Sequence, residues 1–178
     1  MLQYMKHLNE IVDQVYVINL DRRADRMDQA TAEMEKYGIE FERFSGVDGS
    51  TLHDAPDTVK YDMACSMSHM NVLKDAKQRQ FNVICVFEDD AELSEDFNEK
   101  LEPAFNELPA NWGLFYLGAN NKKPPTKITE SVYRVNCSLT THAYLISNIY
   151  QDITRTVKFN IRWEIDNELY YSYIKQWG

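Results

Sequence analysis

The sequence is short of positive charge. Nineteen lysines and arginines stand against 28 aspartates and glutamates, a formal net charge of −9 over 178 residues. A nucleic-acid surface needs a basic face to neutralise backbone phosphates, so nucleic acid is excluded as a partner. An anionic ligand then needs a local positive patch or a metal. Cysteine is scarce as well: Cys65, Cys85 and Cys137 are odd in number, widely spaced and set in apolar surroundings. They read as reduced core thiols in a reducing compartment, neither a disulfide framework nor a zinc site. No long apolar run is present, and Met1 to Asp13 mixes charged with apolar side chains. The expectation is a cytoplasmic protein with no signal peptide and no transmembrane segment. Internal repeats and low-complexity tracts are also missing.

What is present suits one domain over residues 1–178, since 44% hydrophobic content at this length supplies one proper core. Apolar runs and helical periodicities alternate along the chain. Val15 to Leu20 predicts a strand, and Met27, Ala30, Met34 and Tyr37 predict a helix that Gly38 stops. Ile39, Phe41 and Phe44 suggest a second short strand leading into Ser45-Gly46-Val47-Asp48-Gly49. Met63, Met67, Met70, Leu73 and Ala76 mark a further helix, and residues 82–87 a strand. Ser94 opens the next helix, which Pro103 is expected to kink or interrupt. Strands at 113–118, 132–135 and 143–146 follow, then helical patterns through 148–158 and 164–175. Residues 119–130, with paired prolines and asparagines, read as a loop and a candidate mobile cover over a site. This alternation predicts an α/β fold with a mostly parallel sheet flanked by helices on both faces.

The most informative stretch is Asn82-Val83-Ile84-Cys85-Val86-Phe87 running into Glu88-Asp89-Asp90. Three carboxylates at the carboxyl end of a buried strand repel one another. A hard divalent cation, Mg²⁺ or Mn²⁺, holding a phosphorylated ligand is one way to offset that repulsion. Open α/β sheets bind their ligands at this edge. The plainer alternative is a solvated acidic turn before a helix. Arg22, Arg23 and Arg26, after the first strand, can grip phosphate or ribose through forked donors. They can equally pair with Asp21 and Asp25 on a charged helix face. Asp48, between two glycines, suits either an ordinary turn or a nucleotide-facing loop. His69 shares a helix face with Val72 and Leu73, as a structural histidine or a site residue. Thr141-His142 sits before an apolar strand, where His142 is either a strand-edge residue or an outside candidate for a metal ligand.

Five segments occur in an order that resembles glycosyltransferase family 25, which includes bacterial lipooligosaccharide and procollagen galactosyltransferases. They are Val17-Ile18-Asn19-Leu20-Asp21-Arg22-Arg23-Ala24-Asp25-Arg26, Gly46-Val47-Asp48-Gly49, Ala64-Cys65-Ser66-Met67-Ser68-His69, Val86-Phe87-Glu88-Asp89-Asp90 and Thr141-His142-Ala143-Tyr144-Leu145-Ile146-Ser147. The resemblance implies a GT-A-like fold, a uridine diphosphate (UDP)-sugar donor, a divalent metal (Mn²⁺ or Mg²⁺) and inversion at the anomeric carbon. It implies Glu88 and Asp90 as metal ligands, with Asn19, Arg23, Asp48, Glu88 and Asp89 on the nucleotide sugar. The chain departs from the family pattern at Ala64, where glycine is usual.

An inverting transfer needs a carboxylate base near the acceptor hydroxyl. Asp166, flanked by Tyr170 and Trp177, resembles the late aspartate of the family, and Glu164 and Glu168 are alternatives; a solvated acidic helix face is the plain reading of all three. Family members generally continue past this point, so the resemblance implies a chain shortened at its C-terminal end. The reading is a metal-dependent inverting transferase moving a hexose, galactose by family habit, from a UDP-sugar to a glycan or hydroxylated acceptor. One rival is a degenerate member that binds nucleotide sugar or a protein partner without turnover. Another is a phosphoreceiver-type domain, disfavoured because its acidic pair belongs after the first strand, where Asn19-Leu20-Asp21 stands.

Overall fold

The protein is described by a computed structural model over residues 7–136 and 141–149. In chain order its elements are α1 (Leu8–Ile11), β1 (Gln14–Asn19), α2 (Ala24–Lys36), β2 (Glu42–Ser45), a 3₁₀ turn (Gly49–Thr51), α3 (Lys60–Gln78) and β3 (Val83–Glu88). After these come α4 (Phe97–Asn106), β4 (Leu114–Tyr116), β5 (Thr126–Lys127), β6 (Tyr133–Arg134) and β7 (Ala143–Ser147). The main sheet has the order β2-β1-β3-β7-β4. β1 runs parallel to both β2 and β3, whereas β7 is antiparallel to β3 and to β4. Four strands therefore point one way and β7 the other. The start of β7 consequently lies at the same sheet edge as the carboxyl ends of β1 and β3, with Ala143 opposite Phe87.

Strand alternation sorts the core into two layers. Val15, Val17, Cys85, Phe87, Ala143 and Leu145 face α2 and α4, packing on Ala30, Met34, Phe97 and Leu101. Tyr16, Ile84, Val86, Tyr144 and Ile146 face α3 through Met70, Val72, Leu73 and Ala76. The expected sheet with helices on both faces is what the chain forms. α2 ends where Gly38 takes a left-handed φ of +67°, the conformation that glycine adopts without steric cost.

Several local expectations are corrected. The second strand begins at Glu42, after Ile39 has been buried against α2. α4 starts at Phe97 with Asp96 as its N-cap residue, because Ser94 instead heads the preceding turn and its hydroxyl donates to Asp96. Pro103 lies within α4 without interrupting it. The stretch 119–130 contains β5, which pairs with β6 in a separate hairpin, and Glu107 accepts bonds from Thr129 and Ser131 in its turn. This segment covers a cavity of about 440 Å³ against β4, lined by Trp112, Tyr116, Ile128 and Tyr133 among others. Of the cysteines, Cys85 is fully buried and burial pushes its thiol pKa well up. Cys65 is exposed, one turn before the buried His69 on α3. Cys137 and the helical patterns beyond residue 149 lie outside the described residues. Among the described residues no helix is long and apolar enough to cross a membrane.

The 3₁₀ turn packs on the start of α3 through Gly49, where an added Cβ would lie 2.6 Å from Tyr61 Cδ1 and 3.1 Å from the Lys60 carbonyl oxygen. The ring can swing away, but the carbonyl is backbone. Gly49→Ala should therefore destabilise the protein by about 1–3 kcal/mol, the usual cost of overpacking. A lowered urea midpoint at unchanged slope is the expected reading, and an unchanged midpoint would contradict this packing.

Candidate active site at the carboxyl edge of the sheet

β1 and β3 end side by side, with Ile18 in register with Glu88. Alternation then assigns each following side chain to a face. Asn19 continues the Val15, Val17 side and Asp89 continues the Cys85, Phe87 side, so both turn towards α2. Asn19 is 2% exposed and Asp89 8%. The Asn19 amide donates to Asp89 (2.7 Å) and to the Arg23 carbonyl (2.9 Å), and its oxygen accepts from Arg43 Nε (3.0 Å). Asp89 also receives Arg26 from the first turns of α2 (2.9 Å), and the same guanidinium reaches Asp90 (2.5 Å). Arg26 thus clamps two adjacent carboxylates, one buried and one half exposed.

Glu88 turns to the opposite face. Its carboxylate accepts from the Thr141 hydroxyl (3.1 Å) and lies 3.4 Å from His69 Nε2. His69 is 1% exposed, and its Nδ1 is 3.0 Å from the hydroxyl of Tyr144. Burial works against ionisation of Glu88. The hydrogen bond and charge of His69, with Thr141 and His142, outweigh it, and the carboxyl is held below its usual range. Burial raises Tyr144 well above an ordinary phenol, so its hydroxyl stays protonated. The Glu88 N–H donates to the His142 carbonyl (2.9 Å), and the His142 ring sits against Gly118.

The loops after β1 and β2 close the edge with alternating charge. Arg22 pairs with Asp48 (2.5 Å), and Arg43 pairs with Asp21 (2.5 Å), which also accepts from Ser45. Arg23 folds back onto Asp25 through two bonds of 2.8 and 2.7 Å. Ser68 of α3 accepts from the Val47 N–H (2.8 Å) while donating to the Ala64 carbonyl (2.7 Å), which seats the Gly46 to Gly49 turn on the helix.

The structure therefore brings Asn19, Asp48, Glu88, Asp89 and Asp90 to one edge, with Arg23 beside them. It does not bring the Glu88 and Asp90 carboxylates together. Glu88 lies on the α3 side and Asp90 is drawn to Arg26 on the α2 side. Arg23 is engaged by Asp25, and its backbone rather than its side chain meets Asn19. Asp166, Glu164 and Glu168 lie outside the described residues. Sequence reasoning missed Arg26 as the clamp, Arg43 from β2, and Thr141 and Tyr144 as partners of Glu88 and His69. Arg26 was visible as the fourth residue after Arg22, in the first turn of α2. Arg43 carried no such signal.

In donor type the edge suits a hard divalent cation, which takes oxygen ligands: it carries three carboxylates, and among the described residues Arg26 is the one arginine or lysine in ion-pair contact with them. Their spacing is not that of a formed site, since Glu88 lies with His69 and Asp90 with Arg26.

Comparison with known proteins gives a concordant result. The profile of "Glycosyltransferase family 25 (LPS biosynthesis protein)" matches residues 12–161. Procollagen galactosyltransferase 1-A of Xenopus laevis is 26% identical over 162 residues, 76% of this chain and 26% of that protein. The human protein named inactive glycosyltransferase 25 family member 3 is 26% identical over 134 residues, 63% of this chain and 22% of its own length. This chain thus spans about a quarter of the length of these curated relatives. A crystal structure of a glycosyltransferase involved in the glycosylation of the major capsid of PBCV-1 superposes with a TM-score of 0.54 at 9% identity, covering 90% of this chain and 75% of that one. That likeness is one of fold.

Two outcomes test the charge network. Arg26→Met leaves the buried Asp89 carboxylate without its cationic partner and should cost about 1–3 kcal/mol in chemical denaturation, the range for an unmade bond to a charged group; no loss would contradict the clamp. Asp48 is held at a pKa of about 2, first by Arg22 and then by Ser50. Its folded-state value is depressed, so its contribution to stability is complete above the ordinary aspartate range and is lost as pH falls towards 2. In Arg22→Gln the Asp48 carboxyl should titrate higher by NMR, and an unmoved titration would contradict the pair.

Proposed function

The chain belongs to glycosyltransferase family 25, and from that premise we propose that it is a metal-dependent, inverting hexosyltransferase moving galactose from a UDP-sugar to a glycan or hydroxylated acceptor. The observation that carries the proposal is the convergence of Asn19, Asp48, Glu88, Asp89 and Asp90 on the carboxyl edge of β1, β2 and β3. Open α/β sheets hold their ligands there. In this reading Asn19, Arg23 and Asp48 line the nucleotide, and Asp89 meets the donor ribose. To hold Mn²⁺ or Mg²⁺ between them, Glu88 would have to turn from His69 and Asp90 to leave Arg26. Such a cation supplies Lewis-acid compensation for the charge growing on the departing diphosphate.

The residues of the chain divide the remaining tasks. Arg26 holds Asp89 and Asp90 in place, and Asp90 would give up this guanidinium to a cation bound with the donor. Asp166, or Glu164 in its stead, accepts the proton of the acceptor hydroxyl as that oxygen bonds to the anomeric carbon and the diphosphate leaves from the opposite side. A single displacement of this kind inverts the centre. A second reading, a family member that binds nucleotide sugar without turnover, is favoured by the human relative named inactive and by Ala64 in place of the usual glycine.

Mn²⁺ and UDP together should raise the melting temperature more than the sum of either alone, by mass action on the folded state. Asp90→Ala should remove that synergy and leave a folded apo protein. A wild-type protein with no synergy would contradict the site. Asp166→Asn should keep the synergy while transfer falls about 10²–10⁴-fold, the contribution of a general base. Equal transfer by both proteins would move the assignment to Glu164. Synergy without transfer in the wild type would support the non-catalytic reading.

A further inference from the structure

A second set of donors meets on the α3 side of the same edge, and its chemistry differs from that of the carboxylate run. Cys65 and His69 are one helical turn apart on α3, and Glu88 faces them from the end of β3. One ligand atom from each, Sγ, an imidazole nitrogen and a carboxylate oxygen, all lie within 4.8 Å of one another. We propose that Cys65, His69 and Glu88 form a site for a thiophilic divalent cation of the zinc class, with three protein ligands and one open position.

The spacing fits a shared ion as well as a long hydrogen bond. His69 Nε2 and Glu88 Oε1 stand 3.4 Å apart, long for a charge-assisted bond. Two ligands bound to tetrahedral zinc at about 2.0–2.1 Å are separated by about 3.3–3.4 Å. The supporting shell is in place. Tyr144, fully buried and protonated, sits 3.0 Å from His69 Nδ1 and so leaves Nε2 directed at Glu88, while Thr141 donates to the carboxylate (3.1 Å). Outer partners of this kind orient metal-binding histidines and carboxylates. Cys65 is exposed, which gives an ion a path from solvent. A mixed sulfur, nitrogen and oxygen set selects zinc-like ions over the hard cations that oxygen-only sites take. The spacing Cys65-x-x-x-His69 was present in the sequence. What made it a site is Glu88, which only the β3 register brings to α3.

The inference does not depend on the transferase reading, although both use Glu88. An ion held here competes for that carboxylate with a cation at Glu88 and Asp90. Co²⁺, which substitutes for zinc and reports its ligands optically, is the probe. Titrated into the reduced, metal-free 178-residue chain, it should give a one-to-one complex with a near-ultraviolet thiolate-to-cobalt charge-transfer band, displaced by Zn²⁺. Cys65→Ser, at an exposed position, should lose the band with circular dichroism unchanged, and Cys137→Ser should keep it. Glu88→Gln should weaken Co²⁺ binding at least tenfold. No band in the wild type, or a band that survives Cys65→Ser, would overturn the site. Because the readout is the thiolate band, it fails separately from the synergy of Mn²⁺ with UDP.

Discussion

The buried Asp89 carboxylate is the constraint on which the edge of the sheet depends. It follows β3, whose residues Val83 to Phe87 are all apolar, at a buried position where an unpaired charge is costly. Its two partners come from different elements: Asn19 from the end of β1 and Arg26 from α2. Satisfying one carboxylate therefore fixes the neighbouring strand end and the first turns of α2 together. Asn19 extends the brace further, through Arg43 to β2 and through the Arg23 carbonyl to the start of α2. The loops that would meet a ligand are held by this network rather than by apolar packing.

From that point the alternation of a strand explains why three consecutive acids have separate surroundings. Asp89 turns to α2 and is clamped. Glu88 turns to α3, where His69, Thr141 and Tyr144 surround it. Asp90, past the end of the strand, remains half exposed and shares Arg26. The antiparallel β7 matters here, because its reversed direction delivers Thr141 and His142 to the edge at which the parallel strands end. With β7 reversed, these two residues would lie at the opposite edge and Glu88 would lose both its side-chain donor and the carbonyl that receives its N–H.

Most of the fold was legible because it rests on short-range pattern. The apolar runs at 15–20 and 82–87, the helical spacing of Met27 to Tyr37 and the stop at Gly38 each follow from local sterics and from what meets the core. The edge composition was legible too, since the acidic run and the arginines carry a motif in order. What could not be read was pairing across the chain. Arg43 lies 24 residues from Asn19, and Thr141 lies 53 from Glu88; nothing local to either announces its partner. β5 was hidden because a two-residue strand of Thr126 and Lys127 looks like loop, while its partner β6 falls within the strand expected at 132–135. Cys65 was misread as a core thiol: it shares the helix line of the buried His69, Val72 and Ala76 and is nevertheless exposed.

The central claim is that the carboxyl edge of β1 and β3 binds a nucleoside diphosphate together with a hard cation. Paramagnetic broadening tests it directly. Adding substoichiometric Mn²⁺ in the presence of UDP to isotope-labelled protein should selectively erase the amide signals of Glu88 to Asp90, Asn19 and the Gly46 to Gly49 turn, and leave those of the β5–β6 hairpin sharp. Broadening centred on the hairpin, or spread evenly over the acidic surface, would contradict the account.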